Sequence, residues 1–425
     1  MVLSLTQSRF IQRDIHGGKA RYFAEAGLYT FLSDSTYYAD TTKTSFDVIL
    51  PDSVRVTIHK QPFGAYWLLT AMASSSNQQK SLQALIGAKA DSLYDHAIVM
   101  GDVFSGLIVT GTTTVRGDIV SGSDGLQRRS FRGDPFTGTV DGANIRADSS
   151  WFPQFDSRDI TRQIQQLTEL IESPPDNATI LRSGSFEARS YSQPDSATTY
   201  VSAADLTVSS PQDMQLTDHT TFIVDGALTI EGALDLGEYS RFYVRDSIII
   251  DGDITGRHSL FITNGSIQVS GNSHLSTQLI SNESITVRGG SYLTYPSVVY
   301  VQPNVDSGSK QGSINLTGRS CIDGMVILPD VIQTITNDES LVTIEENAFV
   351  RGGVYNTSRT ELIGTVQGTV LTHQFYFYQS PTNYINWLRN ADIDLEQRPS
   401  PFTIPLGFSK RPAFTLLDYN EVADE

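Results

Sequence analysis

The feature that most constrains the fold is a repeat that runs from Thr221 to Gly289. Four consecutive segments share one pattern, in which an apolar start is followed by a polar turn, an apolar-x-apolar pair and a closing glycine. The closing glycines follow one another at steps of 20, 19 and 18 residues. They are Gly232, Gly252, Gly271 and Gly289, and the pairs are Leu228/Ile230, Ile248/Ile250, Ile267/Val269 and Ile285/Val287.

A period of this size without helical spacing predicts a chain that coils and returns each side chain above its counterpart. At about 3.3 Å per extended residue, one coil measures about 60 Å around, which is enough for three short sheets enclosing one apolar filling. Neighbouring coils then bury each other's inward residues, as in a parallel β-helix. We therefore predict a mainly β protein with a parallel β-helix, or solenoid, over residues 201–375.

Other repeat architectures fit this stretch less well. Leucine-rich repeats have a similar period, but their Leu-x-x-Leu-x-Leu-x-x-Asn pattern is absent. A βαβ series needs a helix of about a dozen residues between strands, and the glycine-containing connections here have none. An antiparallel meander remains the alternative, because strands separated by Gly and Asn turns also give this pattern.

The first 35 residues favour a helix interrupted at Gly17-Gly18. The phrase Ala24-Glu25-Ala26-Gly27-Leu28 resembles the stretch that follows the membrane anchor in PilX-like minor pilins of type IV pili. Three strand-like runs follow between residues 46 and 90. The family's later phrase is similar to residues 111–119, with Gly111, Val115, Gly117, Asp118 and Ile119. The resemblance implies a pilin-like helix and small sheet in an exported protein, whose apolar anchor and peptidase cleavage site would precede Met1.

The remaining parts of the chain change character at recognisable points. A helix is predicted over Asp159–Ser173, with Trp151, Phe152 and Phe155 pinning it to the sheet domain or the first coils. The aromatic residues after His373 predict a cover for the open end of the coil stack. The predicted domains are 1–35 (pilin-like helix), 36–130 (small β-sheet domain), 131–200 (loop, amphipathic helix and linker), 201–375 (parallel β-helix) and 376–425 (C-terminal aromatic cap).

Charge and cysteine content exclude several functional classes. The formal net charge of -17 argues against nucleic acid and against direct binding to anionic membranes, because both need basic patches. The single cysteine, Cys321, can form no internal disulfide. No stretch reaches eighteen apolar residues, and the first ten residues do not form a signal peptide, so membrane contact is expected only through the absent anchor.

An enzyme is the main alternative class, because glycosidic hydrolysis needs two carboxylates about 5 to 10 Å apart. Asp251 and Asp253 lie two residues apart, and Asp225 and Asp246 occupy turns of neighbouring coils. Aspartate beside glycine is also ordinary turn chemistry, and the motifs of pectin-degrading β-helices are absent. We therefore predict no catalytic residues.

No cofactor or metal site is predicted either. Asp392, Asp394 and Glu396 alternate and could offer calcium three carboxylates, but a solvated strand gives the same pattern. None of the seven histidines has metal-ligand spacing, although His258 and His274 could stack in successive coils. Two Arg-Gly-Asp triplets, at 116–118 and 132–134, are interpreted as turn chemistry. Five sequons, at Asn177, Asn264, Asn282, Asn315 and Asn356, are interpreted as turn and ladder residues.

These patterns together predict an exported structural protein of the extracellular space or cell envelope. The N-terminal helix would contact other pilin or secretion-system subunits, and the β-helix would present a surface for adhesion, assembly or a polysaccharide ligand. Two alternatives are a carbohydrate-active β-helix that uses Asp251 and Asp253, and a polymer-forming protein of the bactofilin type, which the repeat alone resembles.

Overall fold

A computed structural model describes residues 2–34, 36–37, 43–146, 152–187, 198–303, 311–329, 340–408 and 413–422. The chain forms two compact units. One comprises Met1–Lys89 and Pro405–Glu425, and the other is Ala90–Ile404. The second unit is therefore an insertion in the chain of the first.

The first unit and the start of the second contain the following elements. They are α1 (Val2–Ser33), β1 (Ser45–Ile49), β2 (Arg55–Phe63), β3 (Tyr66–Ser75), β4 (Gln78–Lys89), β5 (Ile98–Met100), β6 (Leu107–Thr110), β7 (Thr114–Arg116), β8 (Ile119–Ser121), β9 (Leu126–Arg128), β10 (Thr139–Asp141), β11 (Asn144–Arg146) and α2 (Arg158–Glu172). Short 3-10 helices lie at Pro51–Ser53, Ser92–Asp95 and Leu406–Phe408.

The remaining strands are β12 (Thr179–Leu181), β13 (Ser185–Glu187), β14 (Thr199–Ser202), β15 (Leu206–Gln215), β16 (Thr221–Val224), β17 (Leu228–Glu238), β18 (Arg241–Val244), β19 (Ile248–Thr263), β20 (Ile267–Gly271), β21 (His274–Ser281), β22 (Ser284–Val287), β23 (Tyr292–Val301), β24 (Ser313–Leu316) and β25 (Cys321–Leu328). They continue with β26 (Leu341–Ile344), β27 (Phe349–Leu362), β28 (Thr365–Gln379), β29 (Thr382–Ile385), β30 (Trp387–Arg389), β31 (Asp392–Asp394), β32 (Thr403–Ile404) and β33 (Phe414–Val422).

The first unit packs α1 against an antiparallel sheet in the order β1-β2-β3-β4-β33. Small residues allow the close approach, because a Cβ on Gly27 would lie 2.5 Å from the Val56 side chain. Ala24, Leu28 and Phe31 are fully buried in the same interface. The predicted pilin-like phrase is therefore where the helix meets the sheet.

Two sequence predictions for this unit need correction. The helix is not interrupted at Gly17-Gly18 but continues from Val2 to Ser33. Two glycines cost a helix about 1 kcal/mol each without breaking it, because they keep the backbone donor that proline lacks. The sheet also gains a strand from the far end of the chain, since Phe414–Val422 pairs with β4.

The second unit is mainly β, with parallel strands in a solenoid-like stack whose pairing confirms the predicted register. Ile248 lies opposite Ile267, and Ile267 lies opposite Ile285, both in parallel. Gly232, Gly252 and Gly271 are also in register. The steps differ in length, yet the apolar pairs stay aligned because the extra residues fall in corners.

Three faces surround one core in this stack, and each is defined here by an inward-facing ladder. Face A contains Phe222, Phe242, Phe261, Leu279, Val299, Val326, Val354, Val370, Ile98 and Ile119. Face B contains Val208, Ile230, Ile250, Val269, Val287, Leu316, Ile344 and Leu362. Face C contains Leu275, Leu293, Ile322, Val350, Val366, Ile393, Val115 and Val140.

The order of coils in space differs from their order in the chain. On face A, β28 pairs with β5, β5 with β8, and β8 with β11. The first strands of the solenoid, from β5 onward, therefore lie in the interior of the stack. Strands β10 and β11 form one end of the stack, and β12 and β13, which follow in the chain, form the other end. The chain then coils back until residues 370–374 meet residues 97–102. We call this junction the seam.

The predicted boundaries change accordingly. The sheet domain ends at Lys89, and strands from Ile98 onward, including the phrase at 111–119, already belong to the parallel stack. The segment 376–425 does not cover an open end, because β31 pairs with β28 and β7 in the interior of the stack. Its last residues join the antiparallel sheet instead. The described ends of the stack are the strands at 139–146 and 179–187.

Asp102 is a buried carboxylate that links the two sides of the seam. Its oxygens accept hydrogen bonds from Phe104 N at 3.1 Å, Gln374 Nε2 at 3.1 Å and Asn386 Nδ2 at 3.0 Å. Burial alone would raise the pKa of Asp102, but hydrogen bonds from Ser105 and these three residues hold it below its ordinary value. The charged carboxylate therefore stabilises the fold.

We expect Asp102→Asn to lower the free energy of unfolding by about 1 to 3 kcal/mol at pH 7. Because the folded pKa is lowered, the stabilisation is present above the unfolded pKa near 4 and is lost as pH falls through the folded pKa. Urea unfolding at pH 7 and pH 3 measures the difference between wild type and variant. Asp134→Asn, at an exposed side chain, is the control. A difference that persists undiminished at pH 3 would contradict this role.

Candidate functional site

Helix α1 carries an exposed apolar stripe on the side opposite the sheet. Ile11, Ile15, Tyr22 and Tyr29 are exposed, with Tyr22 at 68% and Tyr29 at 51%. At about 100° per residue these four positions fall within about 40° of one another. The buried Ala24 and Phe31 lie on the other side of the helix. Packing within the first unit therefore accounts for one apolar face of α1 and leaves the second exposed.

Face A of the solenoid is covered by the chain itself. Its outward residues, such as Ile223, Ile262 and Ile280, are buried. Helix α2 packs along β16, β18 and β19 through Ile160 and Leu167. Two of the predicted aromatic anchors contact later coils of this face. The ring centroids of Phe152 and Tyr355 are 5.7 Å apart in a stacked arrangement, and those of Phe155 and Tyr300 are 5.7 Å apart. The third predicted anchor, Trp151, lies outside the described residues.

Face C carries charged side chains that pair with one another. Arg351 donates to both oxygens of Asp323, at 2.5 and 2.6 Å, and to the hydroxyl of Tyr292. Tyr292 in turn donates to Asp323 at 2.5 Å. Burial raises the pKa of Tyr292 to about 12 and that of the Cys321 thiol to about 11. Both groups are therefore protonated at neutral pH and are poor nucleophiles there.

The central outward ladder of face B is mostly uncharged. It consists of Thr207, Thr229, Ile249, Gln268, Thr286, Asn315 and Thr343, followed by Glu361. Neighbouring rungs of a β-sheet are about 4.8 Å apart. Side chains of this ladder are partly exposed, and hydroxyl and amide groups predominate.

The end of β28 and strand β29 form a two-stranded hairpin, which lies beside the last strand of face B, at residues 359–362. Tyr376 pairs with Ile385 and Tyr378 with Asn383, so these four side chains share one side of the hairpin. Tyr378 is 51% exposed. The other side packs inward, where Phe131 makes edge contacts with Phe377, Tyr384 and Trp387.

The hairpin also reaches the face B ladder. The guanidinium of Arg359 lies 5.7 Å from the ring centroid of Tyr376. Burial, together with the nearby carboxylate of Glu345, raises the pKa of Glu361, and a hydrogen bond from the Tyr378 backbone opposes this shift. The hairpin and face B therefore form one continuous surface. We call the side of the hairpin with Tyr376 and Tyr378 the wall, and the central outward ladder of face B the floor.

The carboxylates proposed for hydrolysis have structural partners. Asp251 accepts from Ser270 Oγ at 2.8 Å, and Asp253 accepts from Asn272 Nδ2 at 3.2 Å. Asp225 forms an ion pair with Arg245 at 2.5 Å. Each contact joins neighbouring coils, as expected for ladder residues. The sequons at Asn264 and Asn282 lie in such a ladder too, since their amides are 3.0 Å apart.

Asp394 and Glu396, two of the residues considered as calcium ligands, form hydrogen bonds within the protein. Asp394 is buried and accepts from Arg116 Nη1 at 2.6 Å, so the Arg of the first Arg-Gly-Asp triplet is an ion-pair partner. Glu396 donates its backbone N–H to Asp394. Among the described residues, no group of three or more His, Cys, Asp and Glu side chains could hold a metal ion.

The second Arg-Gly-Asp triplet, at residues 132–134, contacts the hairpin. Phe131 and Asp134 exchange backbone hydrogen bonds at 2.9 Å across Arg132 and Gly133, and both intervening residues have positive φ. Arg132 donates to the Ser380 carbonyl at 3.3 Å. The interpretation of this triplet as turn chemistry therefore fits its geometry.

His258 and His274, which could have stacked on each other, stack on tyrosines instead. His258 stacks against Tyr239 at 5.2 Å, whereas His274 stacks against Tyr292 at 4.8 Å. His274 lies opposite Thr255, three residues before His258, so the two rings occupy different positions in their coils. The two histidines are 16 residues apart, fewer than the 19 residues between Gly252 and Gly271, so they are not equivalent positions of successive coils.

Sequence reasoning missed the hairpin surface. Its signal is the alternation of Tyr376, Phe377 and Tyr378, followed after a Ser-Pro turn by Asn383, Tyr384 and Ile385. Such period-two alternation on both sides of a short turn indicates a hairpin with one buried face. The aromatic density of this segment by itself predicts an end cap instead.

Among the described residues, no helix is long and apolar enough to cross a membrane. No protein-family model matches the sequence, and no curated protein does. Among solved structures, the chain is similar to the competence-associated pilin ComZ from Thermus thermophilus. The identity is 11%, the coverage is 96% of this chain and 97% of that chain, and the TM-score is 0.23.

A second similar structure is an ice binding protein from an Antarctic bacterium of the Flavobacteriaceae. The identity is 10%, the coverage is 72% of this chain and 97% of that chain, and the TM-score is 0.16. At TM-scores this low, neither likeness establishes a shared fold or function.

Proposed function

We propose that this chain is an exported structural subunit of a type IV pilus or pseudopilus-type assembly, in which a pilin-like helix and sheet carry a parallel β-helix. The observation that carries the proposal is the second apolar face of α1, opposite the face buried by the sheet. The subunit acts at the cell envelope or outside the cell, and its role is assembly and display.

The stripe from Ile11 to Tyr29 has the dimensions of a helix-packing surface. Eighteen residues of helix span about 27 Å. Exposed tyrosine and isoleucine side chains aligned along one face mark an interaction site, because monomeric proteins rarely expose contiguous apolar patches. Gly18 lies between Ile15 and Tyr22 and leaves open space where a Cβ would be. Another helix can approach closely at such a position.

The chain connectivity supports a display role. The solenoid enters the chain after β4 and leaves it before β33, and these two strands pair with each other. An inserted unit with both connections at adjacent strands leaves the sheet intact. The resemblance of Ala24–Leu28 to PilX-like minor pilins also supports a role of α1 in an assembly.

We expect a photo-crosslinking amino acid at Tyr22, in cells that produce the complete chain, to form adducts with the N-terminal helix of another subunit. The physical reason is that the stripe is buried between helices in the assembly. Mass spectrometry of the adducts identifies the partner. The same amino acid at Lys19, which is exposed but outside the stripe, is the control.

The companion variant is Ile15→Asp with Tyr22→Asp. It should reduce the protein in sheared surface filaments by about tenfold, because two buried charges oppose helix packing. Thermal unfolding should stay within a few degrees of wild type, since both side chains are exposed. Equal adducts from Tyr22 and Lys19, or normal filaments from the double variant, would contradict the assembly role.

A further inference from the structure

We propose that the outer side of the hairpin at 376–385 and the mostly uncharged central ladder of face B bind an uncharged, hydroxyl-rich glycan chain. The inference deepens the proposed function by naming the ligand class that the displayed solenoid takes. It rests on the display role and is independent of assembly through α1.

The aromatic wall is rigid. Arg389 donates to Gln379 at 2.8 Å and lies 4.7 Å from the Phe131 ring centroid. Together with the Arg132 contact to Ser380, these interactions hold the hairpin from behind. Tyr376 and Tyr378 are thus presented without the entropy cost of ordering a loop on binding.

The wall has the chemistry of a sugar-stacking platform. A tyrosine ring offers a flat apolar face that packs against the C–H face of a pyranose, while its hydroxyl remains available for hydrogen bonds. The Tyr376 hydroxyl already donates to Asn383 Oδ1 at 3.0 Å. That contact orients the Asn383 side chain beside the rings, where its N–H₂ group can donate to a sugar hydroxyl.

The floor consists mainly of hydroxyl and amide groups. The ladder position nearest the wall is Glu361, and Thr343, Asn315 and Thr286 follow it. The last three donate and accept hydrogen bonds without net charge. The parallel outward row beside them contains Glu231, Asp251, Ser270, Arg288, Thr317 and Glu345. The three carboxylates outnumber the one guanidinium along this edge, so it repels acidic polysaccharides and nucleic acids. A neutral glycan avoids this repulsion.

The other faces do not offer such a surface within the described residues. Face A is buried under α2 and the segment around Phe155. The charges of face C are engaged in ion pairs between coils, including Asp323 with Arg351 and Asp394 with Arg116. The hairpin wall and the face B floor together are long enough for several sugar units in an extended chain.

The test is calorimetric titration of the purified chain with neutral and charged probes. The neutral probes are cellohexaose, laminarihexaose and chitohexaose, and the charged probes are hexagalacturonate and a single-stranded twelve-nucleotide oligomer. At least one neutral probe should bind, and Tyr378→Ala should weaken that binding about tenfold, as expected for loss of one aromatic contact. Tyr378→Phe retains the ring and should bind within about twofold of wild type.

Tyr29→Ala is the matched control, since Tyr29 has the same exposure as Tyr378 but lies on α1. It should leave glycan binding unchanged. Absence of binding by every neutral probe, tighter binding of either charged probe, or equal binding by Tyr378→Ala and wild type would overturn the inference. Glycan binding that survives while the Tyr22 crosslinks fail would contradict the assembly role alone.

Discussion

Gly252→Ala is expected to lower the free energy of unfolding of the solenoid by about 4 kcal/mol. Gly252 has φ of 139°, and a Cβ there would lie 2.2 Å from the carbonyl oxygen of Gly232 in the neighbouring coil. Backbone strain and overpacking each cost about 1 to 3 kcal/mol, and here both apply. Because the clash is with backbone, no rotamer change relieves it.

Gly318→Ala is the matched control for Gly252→Ala. Gly318 follows in the same corner row with φ of 65°, but its Cβ would meet no atom closer than 3.5 Å. The left-handed conformation alone costs an alanine about 1 to 2 kcal/mol. Urea unfolding followed by circular dichroism measures both variants. Equal losses for Gly252→Ala and Gly318→Ala would show that close packing between coils does not limit this corner.

Phe242→Ala is expected to cost about 3 to 5 kcal/mol, the range for removing a fully buried aromatic ring. The Phe242 ring is completely buried and stacks between two others, with ring centroids 5.4 Å from Phe222 and 4.4 Å from Phe261. Its loss removes the middle of the stack and leaves a cavity, because the coils above and below are held apart by their hydrogen bonds.

Phe104→Ala tests whether burial rather than residue type causes that loss. Phe104 is 84% exposed, so its replacement should change stability by no more than about 0.5 kcal/mol. Differential scanning calorimetry of the wild type and the two variants gives the comparison. A Phe242→Ala protein as stable as Phe104→Ala would mean that the aromatic stack does not stabilise the core.

The parts of the fold that repeat locally were predictable. The alignment of Ile248 with Ile267, and of Gly232 with Gly252, follows from a period that returns each residue above its counterpart. The amphipathic helix at Arg158–Glu172 was predictable because Ile160, Ile164 and Leu167 follow helical spacing. The face of the stack that this helix covers was not, because many outward-facing ladders could accept it.

For the candidate site, the sequence indicated a β-helix surface but not its location. The mostly uncharged ladder of face B emerges only when residues 18 to 29 positions apart are aligned, from Thr207 to Thr343. The wall depends on Phe131, which packs behind a hairpin more than 240 residues later in the chain. A contact of that separation has no local signal.

The sequence by itself determined the coil period and the apolar filling, because these depend on residues within one or two turns of chain. Only the tertiary structure decided the order of the coils, the seam at Asp102 and the return of Phe414–Val422 to the first sheet. Parallel rungs with apolar inward residues are mutually compatible, so their spatial order is selected by contacts between distant segments.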